Sequence, residues 1–175
     1  MANFDIAFQW AMTAEDPRMA CTVAADATPA GCTGPCYAIS GINSGLWPAD
    51  FASISSLPQG SRPGAVQAFY KAHYWNDWFA QLGSDDLAKR VFDFSVNAGS
   101  GAAVKTLQQA VNSLGGNLAT DGGWGPRTLT AANAADQAAL VQAFIAARVA
   151  HYRAIAAANP ADAQYLKGWL ARAQT

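Results

Sequence analysis

The 175-residue chain is nearly charge-balanced, with 11 Lys and Arg against 12 Asp and Glu and a net charge of −1 at pH 7. These charges are scattered, which gives no basis for nucleic-acid binding, electrostatic membrane attachment or long-range capture of an anionic polymer. A hydrophobic share of 51%, much of it alanine, suits tightly packed helices in one domain, and no run of about 18 apolar residues exists to span a bilayer.

In chain order, Phe4, Phe8, Ala11 and Met12 recur at helical spacing and predict an amphipathic helix to about Glu15. Asp16-Pro17 ends it, because the residue before a proline is steered away from the helical region. The opening MANFDIAFQW carries Asp5 and neither a basic leader nor a small-residue cleavage site, so synthesis in the cytoplasm is expected, with export depending on outside help. From Arg18 to Pro63 the chain turns irregular, with a short hairpin expected around Tyr37 to Trp47. A long irregular stretch inside a compact domain is more often functional than idle.

Periodicity returns with Val66, Phe69, Tyr70, His73 and Tyr74, predicting a helix that ends near Leu82-Gly83. Ser84 is placed to cap the next helix, with Asp85 and Asp86 at its positive end and Leu87, Val91, Phe94 and Ala98 as its apolar stripe. Val104, Leu107, Val111 and Leu114 form another, closed by Gly115. Gly122, Gly123, Gly125 and Pro126 then build a turn whose proline can start a short helix. A long helix follows from near Asp136, carrying Leu140, Phe144, Val149 and Tyr152. A last amphipathic piece holds Tyr165, Leu166, Trp169 and Leu170. The reading is one all-α body with a short β-hairpin in its N-terminal half.

Glu15 lies eleven residues after Phe4 and seven after Phe8, on the same helical face as both aromatics. A carboxyl over an apolar stripe, at the negative end of a helix and beside an open loop, has the setting of a general acid. The alternative is a surface glutamate at a frayed helix end. Cys21, Cys32 and Cys36 fall close together and are candidates for one bridge plus one thiol, or for three thiols in a packed loop. A zinc site would need a fourth ligand, and His73 and His151 lie far off without paired-ligand spacing, so no metal is expected.

Several of these segments together resemble glycoside hydrolase family 108, a lysozyme-like family acting on bacterial cell walls. VFDFSVNAGSGAAVKTLQQAVN, DGGWGPRTL, AARVAHYR and KGWLARA resemble its C-terminal segment, often described as a predicted peptidoglycan-binding domain. FDIAFQWAMTAE resembles the family's opening helix, whose glutamate is the proposed catalytic acid, and Glu15 takes that position. Asp16-Pro17-Arg18 replaces the Gly-Gly-Tyr that usually follows. VAADATPAGCTGPCYAIS stands where the family shows Asn-Asp-Pro, a Gly-Gly pair, a threonine and Tyr-Gly-Ile-Ser; Tyr37, Ile39 and Ser40 match its end.

The resemblance implies a lysozyme-like fold over residues 1–175, with a glycosidase segment in 1–88 and a helical wall-binding segment in 89–175. It implies an N-acetylmuramidase, endolysin-like and bacteriolytic, that cleaves the β-1,4 bond of the peptidoglycan glycan. Glu15 would be the general acid, with Asp26 and Thr33 as counterparts of the family's acidic and threonine positions. Tyr37, Tyr74 and Trp75 would be sugar contacts, since rings stack on sugar faces, while Asn97 would line the cleft; helix-face packing is the alternative for Trp75 and helix bracing for Asn97. No cofactor or metal is implied. The partner would be bacterial peptidoglycan, met by a monomer in the periplasm after holin release or delivery by a secretion system. The alternative function is a non-catalytic peptidoglycan-binding protein, or a phage or secretion structural protein, on the same fold.

Overall fold

Phe4, Phe8, Ala11 and Met12 form the buried stripe of a single helix, α1 (Phe4–Glu15), in the computed structural model, which describes residues 1–29 and 32–174. The chain divides into two compact units, one of Phe8–Trp75 and the other of Met1–Ala7 with Asn76–Thr175.

In the first unit, β1 (Ala24–Asp26), β2 (Cys36–Ile39) and β3 (Ile42–Asn43) make an antiparallel sheet in the order β1-β2-β3. The expected hairpin is present between β2 and β3, closed by Ser40 at φ 47° and Gly41 at φ 80°. Two consecutive positive φ values are the signature of a type I′ turn, whose twist matches that of the strands it joins. The third strand, β1, has no alternating pattern, because all three of its residues are exposed. The helix α2 (Pro48–Ser55) also lies in the stretch read as irregular; it buries only Ile54, so it leaves no apolar stripe in the sequence. Helix α3 (Arg62–Tyr74) buries Val66, Phe69 and Tyr70. Arg62 at its start ties the unit together, donating to the carbonyls of Cys21, Ser55 and Leu57.

The expected continuation of α3 to Leu82-Gly83 is a correction. Trp75 turns extended at φ −95° and ψ 131°, and Asn76 starts a separate turn, α4 (Asp77–Ala80), by accepting from the N–H groups of Trp78 and Phe79. A side-chain amide that satisfies free N–H groups in this way competes with helix continuation.

The second unit is built on α5 (Asp85–Ala98), α6 (Ser100–Ser113), α7 (Pro126–Ala134), α8 (Gln137–Ala158) and α9 (Leu166–Gln174). Ser84 caps α5 through Leu87 N at 3.2 Å, as expected, and Asp136 caps α8 through Ala139 N at 2.8 Å. Leu87, Val91, Phe92 and Phe94 of α5 share the core with Leu107 of α6 and Phe144 of α8. Leu114, expected on the α6 stripe, is instead exposed at the helix C-cap. Asp93 is buried between Arg148 and Arg172, each at 2.7 Å. Arg148 also donates to Tyr152, whose hydroxyl donates to Asn97 Oδ1 at 2.6 Å. Removing one partner of such a buried pair costs about 3–5 kcal/mol, because it strands an uncompensated charge.

The glycine-rich turn before α7 is organised from below by the buried side chain of Gln108. Its Oε1 accepts from Gly122 N at 2.9 Å, and its Nε2 donates to Asp121 Oδ1 at 2.8 Å and to Gly123 O at 3.1 Å. Gly122 has φ 76°, and a Cβ there would stand 2.7 Å from the Gly101 carbonyl oxygen, so only glycine fits.

Candidate functional site

Where α1 ends against the sheet, Glu15, Asp16, Thr22, Asp26, Ser40 and Gly41 line an open groove of about 380 Å³. Gly41 is what lets Glu15 lie there. A Cβ on Gly41 would come within 2.5 Å of Glu15 Oε2 and 2.8 Å of the Tyr70 hydroxyl oxygen, so the carboxyl rests directly against the turn backbone. Tyr70 fixes that turn by donating to Ser40 O at 2.7 Å. Glu15 is half-buried, and its charge is felt by Tyr74.

Asp16, the residue directly after Glu15, is the organiser of the loop. Its Oδ1 accepts from Ala20 N at 3.1 Å, and its Oδ2 accepts from Cys21 N at 2.8 Å and from the Ser40 hydroxyl at 2.7 Å. Burial raises the Asp16 pKa, but the hydrogen bonds from Ser40, Cys21, Ala20 and Arg18 outweigh it and hold the carboxyl below its ordinary value. Around it, Met19, Cys21 and Ser40 all take φ 47°, a left-handed conformation that L-residues disfavour.

Asp26 sits at the end of β1 opposite Cys36, and its carboxyl is fixed by Asn43 Nδ2 and by Ala27 N, each at 2.8 Å. The groove thus brings Glu15 and Asp26 together. Thr33 is exposed in the loop before β2 and does not line the groove; Thr22, which sequence reasoning passed over, does. Tyr37 is exposed on β2 and alternates with Ala38, which lines the groove, so its ring stands on the opposite face of the strand.

Tyr74 stacks on Tyr70 at 5.7 Å and belongs to an aromatic cluster with Trp47, Phe69 and His73. Its pKa is raised, first by burial, then by the nearby Glu15 charge, against a lowering hydrogen bond from Trp47. Trp47 is a further aromatic the sequence reading missed as part of this cluster. Its indole lies 4.4 Å from the His73 ring, and His73 Nε2 is 3.5 Å from Asp50 Oδ2, a helix-face role for this histidine. Trp75 is half-buried at the α3 C-cap and does not line the groove. Asn97 lies in the second unit, bracing α5 to α8 through Tyr152.

Cys21, Cys32 and Cys36 are unpaired. Cys21 is fully buried beside Ser40, whereas the sulfurs of Cys32 and Cys36 converge on Gly45, 3.1 and 2.8 Å from where its Cβ would stand. Among the described residues no three His, Cys, Asp or Glu side chains come together as a metal-binding group, and no helix is long and apolar enough to cross a membrane.

The fold is therefore that of a mainly helical protein with a small three-stranded antiparallel sheet. A solved structure of Brucella abortus SagA shares it, with a TM-score of 0.70 over 98% of this chain and 89% of that chain, at 20% sequence identity. Residues 102–174 match the family model described as a predicted peptidoglycan domain, which associates the chain with peptidoglycan. That match starts in α6 and ends in α9 and does not include Glu15. No curated protein matches the chain.

Proposed function

We propose that the protein is a peptidoglycan hydrolase, an N-acetylmuramidase of the glycoside hydrolase family 108 type, acting on the cell wall in the periplasm. The observation that carries this reading is the meeting of Glu15 and Asp26 in one open groove, in a chain whose residues 102–174 are similar to a predicted peptidoglycan domain. Glu15, packed against the Gly41 backbone, protonates the leaving glycosidic oxygen. Asp26, anchored by Asn43 and Ala27, faces the developing positive charge or receives the proton of the attacking water. Thr22, the threonine that lines the groove, orients the water, in place of Thr33, the counterpart of the family's threonine.

A second reading, peptidoglycan binding without hydrolysis, is favoured by the place of the 102–174 match, which leaves out Glu15 altogether. One experiment separates the two. Wild type and Glu15→Gln are incubated with purified sacculi, and the released reducing ends are identified. Muramidase action predicts muramic acid ends from wild type and a loss of at least about 100-fold in the variant, with sacculus binding unchanged. Equal lysis by both proteins would remove Glu15 from the mechanism. Sacculus binding without lysis by wild type would establish the binding reading.

A further inference from the structure

Helices α6 and α8 pack against each other within the second unit, and between them lies a groove of about 670 Å³ that the hydrolytic reading does not use. Its apolar lining is mostly alanine from both helices, Ala147 and Ala150 among them, and its polar side chains are Lys105, Thr106, Gln109, Asp121 and His151. Nearly all of it falls inside the segment that matches the peptidoglycan domain.

Thr106 is the observation that marks this groove as a site. The residue is only 2% exposed, it lines the groove, and its hydroxyl is not among the sealed polar atoms without a partner, so the hydroxyl is the part that reaches the groove. A hydroxyl open to a groove on an otherwise buried side chain is held in place and can donate to or accept from a polar group arriving from outside. The charges say what kind of group. Lys105 is exposed and forms no ion pair among the described residues. Asp121, engaged through Oδ1 by Gly123 N and Gln108, has its pKa lowered by those bonds in that order and stays a carboxylate. His151 is half-buried against Phe94, and burial lowers its pKa, so it presents a neutral imidazole.

A lining that offers one ammonium, one carboxylate and small apolar side chains complements a ligand bearing both charges and methyl groups. Uncharged amino sugars do not have that pattern, and the only ring in the lining is the His151 imidazole. The stem peptide of peptidoglycan does have it: alanine methyls, free carboxylates and the side-chain ammonium of its diamino acid. We propose that the α6–α8 groove binds this stem peptide, Lys105 receiving a carboxylate, Asp121 the ammonium and Thr106 a backbone amide. The proposal rests on the peptidoglycan reading and gives it a second contact, to the peptide rather than the glycan.

The test uses the full chain with a free stem tetrapeptide (L-Ala, D-Glu, diaminopimelate, D-Ala) and a chitooligosaccharide as probes, titrated by calorimetry or NMR. Ala150→Trp fills the groove, and Lys105→Glu reverses one charge; both positions are exposed, so the fold should tolerate either change. The expected result is tetrapeptide binding by wild type that weakens at least tenfold in each variant, with chitooligosaccharide binding unaffected. Absence of tetrapeptide binding, or equal binding by all three proteins, overturns the groove assignment. If sacculi are still bound or lysed in that case, only the groove has failed. If wild type neither binds nor lyses sacculi, the peptidoglycan reading falls and the groove proposal falls with it.

Discussion

Compare the turn at 121–126 with the backbone gathered around Asp16, which is the loop from Asp16 to Cys21 and the Ser40-Gly41 turn. Each is gathered by one polar side chain, Gln108 in the first and Asp16 in the second, and each contains residues at positive φ. The turn places glycine where the left-handed conformation is needed, so Gly122 accepts it without steric conflict. The backbone around Asp16 places Met19, Cys21 and Ser40 there, each at a cost of about 1 kcal/mol. The turn is therefore held by a neutral amide on relaxed backbone. The loop beside the groove is held by a carboxylate on strained backbone. Strain of this kind persists only where the surroundings over-determine it, and it concentrates at functional sites.

Removing the organiser of the turn should have the larger effect on stability. Gln108→Leu keeps the apolar bulk but leaves Gly122 N and Gly123 O without the partner that Gln108 supplies. We expect a loss of about 2–3 kcal/mol in urea or thermal unfolding. A loss below about 1 kcal/mol would mean that the glycines set the turn unaided.

Asp16→Asn should cost less at neutral pH, about 1–2 kcal/mol, because the amide still offers one acceptor oxygen. Its mark is the pH dependence. The Asp16 pKa is lowered on folding from 3.8, so its contribution is complete above that value and is lost as pH falls from 3.8 through the folded value. Unfolding free energy measured against pH should show this acid limb in wild type and a shallower one in Asp16→Asn. Coincident limbs would show that Asp16 does not hold the loop.

The same contrast explains what could be read from sequence. Helices α1, α5, α6 and α8 were legible because their apolar residues recur at helical spacing and Ser84 supplies a cap. The DGGWGP turn was legible because glycine and proline leave few conformations open. Glu15 was legible as a carboxyl at a helix end beside an open loop, and the structure puts it in one groove with Asp26, which only the resemblance had singled out. The choice between Thr22 and Thr33 was not legible. Thr22 follows directly on Cys21, whose N–H bonds Asp16 and whose φ is 47°, and neither feature has a signature in residue type. The break after Tyr74 was hidden for a related reason, since Asn76 acts through its side chain and leaves the apolar spacing intact.

The smallest predicted effect sharpens the comparison most directly, because it gives the loop the residue type the turn already uses. Met19 is half-buried at φ 47°, with its N–H bonded to Asp16 O at 2.9 Å. Met19→Gly relieves about 1 kcal/mol of left-handed strain but adds backbone freedom to the unfolded chain, a penalty of about 0.5–1 kcal/mol. It also gives up what the half-buried side chain contributes. These terms nearly cancel, so Met19→Gly should change stability by less than about 1 kcal/mol, whereas an ordinary half-buried Met→Gly change is clearly destabilising. A loss above about 2 kcal/mol would show that the Met19 side chain, rather than the Asp16 carboxylate, holds this part of the loop.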